Sequence, residues 1–350
     1  MGTTPQTQPT LSSVEALSRL LDIGNGYVAA QAMFAGLHLG VFEHLAGGPL
    51  TAEELSSRAG IHPLGGRRLL GALCYLGLVE RADGRFVNTE LGAHCTSKAP
   101  LNFSALTGAE IPFYHMCEFL TDAVRELAPR WMQAMGAPSN AIFEAMYADP
   151  VQLRRFAALM YLLSVPQGQL VAERYDFSRH RCIMDVAGGP GGIAIQVGLR
   201  HSHLTGIIAD MAPVCAVAEE HIQANGLSGR FRAIPFDLFQ APYPDGADVI
   251  TLGYILHDWS DANCRKILRN CFEALPSGGI LLVCEKVLNE DHSGTRQALM
   301  LDLMMLVVCE PGARERNLAE YRALLEEAGF RDVELVRLDA PRDLVVARKP

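Results

Sequence analysis

Apolar and polar positions along the first hundred residues follow a helical rhythm and then change to a hairpin rhythm. Thr51-Ala-Glu-Glu54 predicts the start of a short helix, because the Thr51 hydroxyl and the Glu54 carboxylate can satisfy each other's free backbone donors. A turn is expected around His62-Pro63, then a helix from Arg67 to Leu78 that is apolar on most faces. Leu78–Arg81 and Arg85–Val87 flank Asp83-Gly84, a strong two-residue hairpin signal. Helix, turn, helix and hairpin together are the plan of a winged helix.

From about Pro100 to Asp176 the pattern stays helical and carries many rings and thioethers, among them Tyr114, Trp131, Phe156, Met160 and Tyr161. Spacing alone makes such a stripe core rather than ligand pocket. From Arg181 the pattern alternates between short apolar strands and amphipathic helices. Strands are expected at Cys182–Val186, Leu204–Ala209, Phe231–Phe236, Ala247–Leu256 and Gly279–Glu285. Such alternation means a parallel sheet covered by helices on both faces. Asp332–Leu338 and Asp343–Arg348 are separated by only Asp339-Ala-Pro-Arg342, too few residues for a helical crossover, so they must pair antiparallel. The chain therefore divides into a tail (1–10), a winged-helix-like region (11–99), a helical linker region (100–176) and an α/β domain (177–350).

Composition narrows the partners. A net charge of -9 over 350 residues argues against a non-specific grip on nucleic acid or an anionic membrane. Nine cysteines are scattered without a C-x-x-C pair or a His/Cys cluster at zinc spacing, so they read as free thiols in a reducing cytoplasm, and no metal is expected. The N-terminus lacks a signal pattern, and no apolar run is long enough for a membrane helix.

Chemistry concentrates at the predicted strand ends. Asp185-Val-Ala-Gly-Gly-Pro-Gly-Gly192 is a glycine loop between strand and helix, where backbone can approach a ligand and a helix N-terminus offers free N–H groups. Gly189-x-Gly191-x-x-Ala194 also fits the dinucleotide pattern, so structural, nicotinamide and other nucleoside readings stay open on the loop alone. Asp210 ends the second strand, where a carboxylate can accept from both ribose hydroxyls. Asp237 ends the third, with apolar neighbours suited to an adenine. His257 and Asp258, in Leu256-His-Asp-Trp-Ser260, end the fourth strand, and Glu285 ends the fifth. Glu315 follows a Pro-Gly turn. Ligands in open α/β sheets bind beyond the carboxyl ends of the strands, the edge these residues share.

Asp-Val-x-Gly-Gly-x-Gly, Phe-Asp-Leu-Phe, His-Asp-Trp-Ser-Asp and Glu-Arg ahead of Ala328-Gly-Phe330 resemble the small-molecule O-methyltransferases of the caffeate/hydroxyindole type, over nearly the whole chain. The resemblance implies a class I methyltransferase sheet, Rossmann-like and mostly parallel with an antiparallel C-terminal pair. An N-terminal winged-helix dimerisation domain precedes it. It implies S-adenosylmethionine as methyl donor, with S-adenosylhomocysteine as product. Asp185 and Gly189 would line the methionine end, Asp210 the ribose, and Asp237 with Leu238 the adenine; Gly188, Gly191, Met211, Phe239 and Gly253 complete that site. His257 would be the general base, with Glu285 and Glu315 flanking its ring. Tyr114, Trp131, Phe156, Met160, Tyr161, Asp258, Met304 and Met305 would line the acceptor pocket. A phenol, with pKa near ~10, needs such a base at neutral pH. Bacterial members of the family tailor antibiotics and pigments, so a secondary-metabolite substrate is implied.

Two positions depart from the family pattern. Ala187 replaces the loop's first glycine, and Gly253 stands where Lys or Arg is usual, which removes a long side chain from the cofactor site. Relatives with diverged chemistry (hydroxylases, pericyclases, N- or C-methyltransferases) remain the alternative within the fold, and a nicotinamide oxidoreductase the alternative beyond it. A DNA-binding role for the winged helix is disfavoured. From Thr51 to Thr96 five basic residues (Arg58, Arg67, Arg68, Arg81, Arg85) balance five acidic ones (Glu53, Glu54, Glu80, Asp83, Glu90). The apolar segment Tyr27–His38 needs a cover instead, and a homodimer supplies it.

Overall fold

The computed structural model describes residues 11–99, 102–108, 111–136, 143, 147–338 and 340–350. The expected N-terminal tail and Asp339 of the last turn lie outside the described residues. The chain forms two compact units, 1–107 and 108–350.

In the first unit, helices α1 (Ser13–Gly24), α2 (Gly26–His38) and α3 (Val41–Ala46) precede α4 (Ala52–Ala59) and α5 (Pro63–Tyr75). A hairpin of β1 (Val79–Ala82) and β2 (Arg85–Asn88) and a short α6 (Glu90–Ala93) follow. The Thr51–Glu54 capping box is present. The helix expected to begin at Arg67 begins at Pro63 instead. His62 caps it by accepting from the Leu64 N–H, and proline suits a first turn, where its missing N–H would have had no partner. Asp83 and Gly84 both take positive φ (50° and 78°), as the tight hairpin turn requires. Val41, Phe42, Leu55, Leu70 and Leu73 form the core. Helix α1 contributes nothing to it: Val14, Leu17, Leu20, Leu21 and Ile23 are all exposed, at 53–78%.

The second unit opens with short helices α7 (Ile111–Cys117), α8 (Leu120–Glu126) and α9 (Trp131–Met135), then the long α10 (Pro150–Arg174). The α/β part follows as β3 (Cys182–Val186), α11 (Gly192–Arg200), β4 (Thr205–Asp210), α12 (Ala212–Ala224), β5 (Phe231–Pro235) and β6 (Val249–Gly253). It continues as α13 (Asp261–Ala274), β7 (Ile280–Cys284), β8 (Val287–Leu288), α14 (Arg296–Val308), β9 (Arg316–Asn317), α15 (Leu318–Glu327), β10 (Arg331–Val336) and β11 (Leu344–Arg348). Among the described residues no helix is long and apolar enough to cross a membrane.

Seven strands form one sheet in the order β10-β11-β7-β6-β3-β4-β5. Strands β7, β6, β3, β4 and β5 run parallel, whereas β11 is antiparallel to both β7 and β10. Alternate side chains feed two cores, as a sheet buried on both faces demands. Met184, Ile250 and Leu281 pack with α13 and α15; Ile183, Val249 and Leu282 pack with α10, α11 and α12. The chain turns to opposite sides after β3 and after β6, so a crevice opens between them at the carboxyl edge.

One strand is shorter than its sequence suggests. The apolar pattern predicts strand over Ala247–Leu256, but β6 stops at Gly253 because Tyr254 takes a positive φ of 63° and Leu256–Asp258 coil into a single 3₁₀ turn. His257 therefore sits on a tight turn beyond the strand, and that backbone strain is local to the site.

Candidate functional site

Two groups of buried acids sit on the carboxyl edge of the sheet. The first belongs to β3 and β4. Asp185 accepts from the Thr251 hydroxyl at 2.7 Å and, weakly, from the Ala194 N–H. Asp210 accepts from the N–H groups of Gly189 (2.7 Å) and Met211 (2.6 Å), so it fastens the glycine loop to the end of β4. Burial pushes both carboxyls up to about 6, since these neutral donors only partly replace water. Asp237, two residues beyond β5, is exposed and caps its own turn by accepting from the Phe239 N–H; Leu238 and Phe239 lean half-buried on the core beside it.

The glycine loop itself is tight. Gly191 has φ of 85°, which strains any other residue, and a Cβ there would lie 2.2 Å from Ile208 Cδ1, which would have to shift. Ala187 occupies the same left-handed region, φ 52°, without being glycine. At Gly253 a Cβ would meet Ile193 Cδ1 at 2.3 Å. The space a lysine or arginine stem would need there is taken by Ile193, so the departure at 253 is matched by its neighbour rather than leaving a gap.

The second group surrounds His257, which is 4% exposed. Its Nδ1 lies 2.9 Å from Glu315 Oε1 and 3.6 Å from Glu285 Oε2, and its Nε2 lies 3.4 Å from Asp258 Oδ1. Glu285, just past β7, also accepts from the Ile255 N–H, which ties the turn to the strand. Glu315 is held by its own N–H on Asp302 of α14. Burial disfavours a charged ring, but Glu285, Asp258 and Glu315 outweigh it and push the imidazole up to about 9. Arg316, wholly buried, brackets the turn by donating to the carbonyls of Leu256 and Trp259. The donor atoms of His257, Glu285 and Glu315 lie within 4.8 Å of one another. A cation is already present, however: Arg342 donates to the same Glu315 oxygen at 2.8 Å. We do not read the cluster as a metal centre.

An aromatic set stands by the same edge. Phe239 packs edge-on to Trp259 (4.7 Å between ring centres), Trp259 meets Phe143, and Tyr147 and Phe156 complete the group. Burial pushes the Tyr147 phenol well up, with Asp210 and Asp258 adding to it, so this side chain feels both acid groups at once. Sequence reasoning missed Tyr147 and Arg342.

The remaining expected pocket residues scatter. Phe156 joins the aromatic set, and Met160 is half-buried on α10. Trp131 is buried beside Met305 with its indole N–H on the Val308 carbonyl. Met304 is half-buried on α14, and Cys309, just past that helix, donates to Asp258. Tyr161 stacks on His221 of α12 at 3.8 Å, and Tyr114 is exposed on α7.

Residues 117–331 match the O-methyltransferase domain family, and residues 12–98 match the O-methyltransferase dimerisation domain family. The chain belongs to the O-methyltransferase family. It is 34% identical over 332 residues, 92% of each chain, to the 3-hydroxy-5-methyl-1-naphthoate 3-O-methyltransferase of Streptomyces sahachiroi. It is also 34% identical over 357 residues, the whole of both chains, to the N,N-dimethyltransferase OxyT of Streptomyces rimosus. Human N-acetylserotonin methyltransferase in complex with S-adenosylmethionine superposes with a TM-score of 0.89 at 30% identity, covering 98% of this chain and 99% of that one. This O-methyltransferase carries the S-adenosylmethionine-dependent activity of its family, and its sheet is that of a class I methyltransferase.

Proposed function

We propose that this O-methyltransferase methylates an aromatic hydroxyl of a small natural product, with His257 as the proton acceptor. The observation that carries the reading is the buried ring of His257 fixed through Nδ1 to Glu315, which leaves Nε2 for the incoming hydroxyl. Three carboxylates around one imidazole favour the imidazolium that forms when the proton arrives. Glu285 and Glu315 fix the ring; Asp258 stands on the Nε2 side, where an acceptor would enter.

The first acid group fits a nucleoside methyl donor. Two buried carboxylates without a cationic partner among the described residues, beside a tight glycine-rich loop, suit ribose hydroxyls and a ligand pressed against backbone. Asp210 would hold the ribose, Asp237 with Leu238 and Phe239 the adenine, and Asp185 with Gly188, Gly189 and Gly191 the methionine end; Met211 and Gly253 border the same site. S-adenosylmethionine supplies a sulfonium methyl already activated for displacement. What the chain adds is alignment, exclusion of water by the Phe143, Tyr147, Phe156 and Trp259 rings, and a place for the hydroxyl proton. No role is assigned to a metal. Phe156, Met160, Met304 and Met305 supply apolar surface for a flat acceptor; the likeness to a naphthoate O-methyltransferase supports that class.

One second reading has an observation in its favour. The relative from Streptomyces rimosus is named an N,N-dimethyltransferase, and an amine acceptor would need only a neutral nitrogen beside the same donor. The test is methyl transfer from labelled S-adenosylmethionine to hydroxynaphthoates, simple phenols and the matching aryl amines. Aryl methyl ethers as products support the reading, and methylation confined to the amines contradicts it.

The first unit is proposed to pair with a second copy of the chain. Its exposed α1 stripe and the match to a dimerisation domain support this. Light scattering at micromolar concentration should give twice the 38.1 kDa chain mass, and Leu17→Glu with Leu20→Glu should halve it. A wild-type protein at the single-chain mass would contradict the pairing.

A further inference from the structure

The last two strands carry a residue into the site that the family reading leaves unused. Strand β11 runs antiparallel to β7, so the start of β11 lies beside the end of β7, on the carboxyl edge. Glu285 follows β7 and Arg342 lies two residues before β11, and the Asp343 N–H donates to the Glu285 carbonyl at 2.8 Å, which locks the two ends together. Arg342 is 3% exposed, its guanidinium stacks over the Tyr254 ring at 4.4 Å, and its Nη1 donates to Glu315 Oε1. That oxygen is the one facing His257 Nδ1.

We propose that Arg342 is a positioning residue for the base: by sharing Glu315 Oε1 with His257 Nδ1 it offsets that carboxylate's charge and holds it in place, so that Nε2 is the nitrogen left to receive the acceptor's proton. This rests on the reading of His257 as base.

Charge explains why a cation is needed there. The groups facing His257 are Asp258 on its own turn, Glu285 beyond β7 and Glu315 before β9. Around them stand the buried Tyr321 phenol of α15, Cys309 donating to Asp258, and Asp302 of α14 on the Glu315 backbone. The Tyr147 phenol feels Asp258 as well. Arg316 is turned to backbone carbonyls and Asp261. Arg342 is thus the fixed cation on the cluster among the described residues. Three buried carboxylates around one ring would otherwise hold a proton among them too firmly for the ring to work as a base.

The experiment is a titration followed by NMR of protein labelled at the histidine ring carbon, with the His257 signal assigned by its loss in His257→Ala. Without the guanidinium, Arg342→Gln should move the His257 midpoint up by about one pH unit or more, and Arg342→Lys should stay near wild type. Arg342→Met keeps the stem on Tyr254 and replaces the Gln variant if that variant does not fold. In a Glu315→Gln background the Arg342 effect should shrink to what the guanidinium exerts through Glu285 and Asp258. An unmoved midpoint in folded Arg342→Gln or Arg342→Met overturns the proposal. Turnover of 3-hydroxy-1-naphthoate separates the two levels. A slow His257→Ala with unmoved midpoints removes only the role of Arg342, whereas normal turnover in His257→Ala removes the base and this proposal with it.

Discussion

Two groups of buried acids share one sheet edge, and Glu315 in the second is held opposite to Asp185 and Asp210 in the first. Asp185 and Asp210 meet only a hydroxyl and backbone N–H groups, and burial pushes both up to about 6. At Glu315 burial acts in the same direction, yet His257 and Arg342 outweigh it and hold the carboxyl below its ordinary range. Neutral donors make a receptor that is incomplete until a ligand brings more donors. Internal cations at Glu315 offset its charge from within the fold, so that the set around His257 can pass a proton. The contrast supports the proposed division, with the methyl donor bound at Asp185 and Asp210 and the proton moved at His257 and Glu315.

The largest effect should come from breaking the set around His257. His257→Ala is expected to slow methyl transfer by about two to four orders of magnitude at neutral pH, while calorimetry finds S-adenosylhomocysteine affinity unchanged. Equal losses in both would erase the division between the groups. On the receptor side the pattern reverses. Asp210→Ala should weaken S-adenosylhomocysteine by roughly 1–3 kcal/mol, with a far smaller loss of turnover once the donor is saturating. The smallest effect concerns the loop that Asp210 fastens. Ala187 holds φ of 52°, a conformation that costs an alanine about 1 kcal/mol and glycine almost nothing. Ala187→Gly should therefore raise stability by up to ~1 kcal/mol in a denaturant melt; a loss of stability would show that the methyl of Ala187 packs usefully.

Much of this was legible in the sequence, and the reason is periodicity. The strands from Cys182 to Cys284 alternate between two buried faces, and Asp185, Asp210, His257 and Glu285 fall at or just beyond strand ends, so pattern and turn residues together point at one edge. The hairpin at Asp83-Gly84 and the capping box at Thr51 are local signals and need no tertiary knowledge. Pro63 is ambiguous in sequence because proline serves both turns and first helical turns, and only the His62 cap decides between them. Arg342 was invisible for a different reason. It lies 85 positions after His257 in a short turn, and only the antiparallel insertion of β11 beside β7 brings it to the base. Tyr147 likewise belongs to a helical stretch whose period says "buried" without saying against what. In sequence Gly253 reads as a missing side chain, whereas Ile193 of helix α11 fills that room.

His257 takes the proton in the proposed reaction, and the pH dependence of kcat/KM tests this most directly, since it reports the ionisation of the free enzyme. Three carboxylates hold the ring's proton up to about 9 against the opposing effect of burial. A base works only when deprotonated, so activity should rise as pH rises through that range with an acceptor whose own hydroxyl does not titrate there. In His257→Ala this rising limb should be gone. A profile that is flat from neutral pH upward in the wild type, or a limb that persists unchanged in His257→Ala, would contradict the claim.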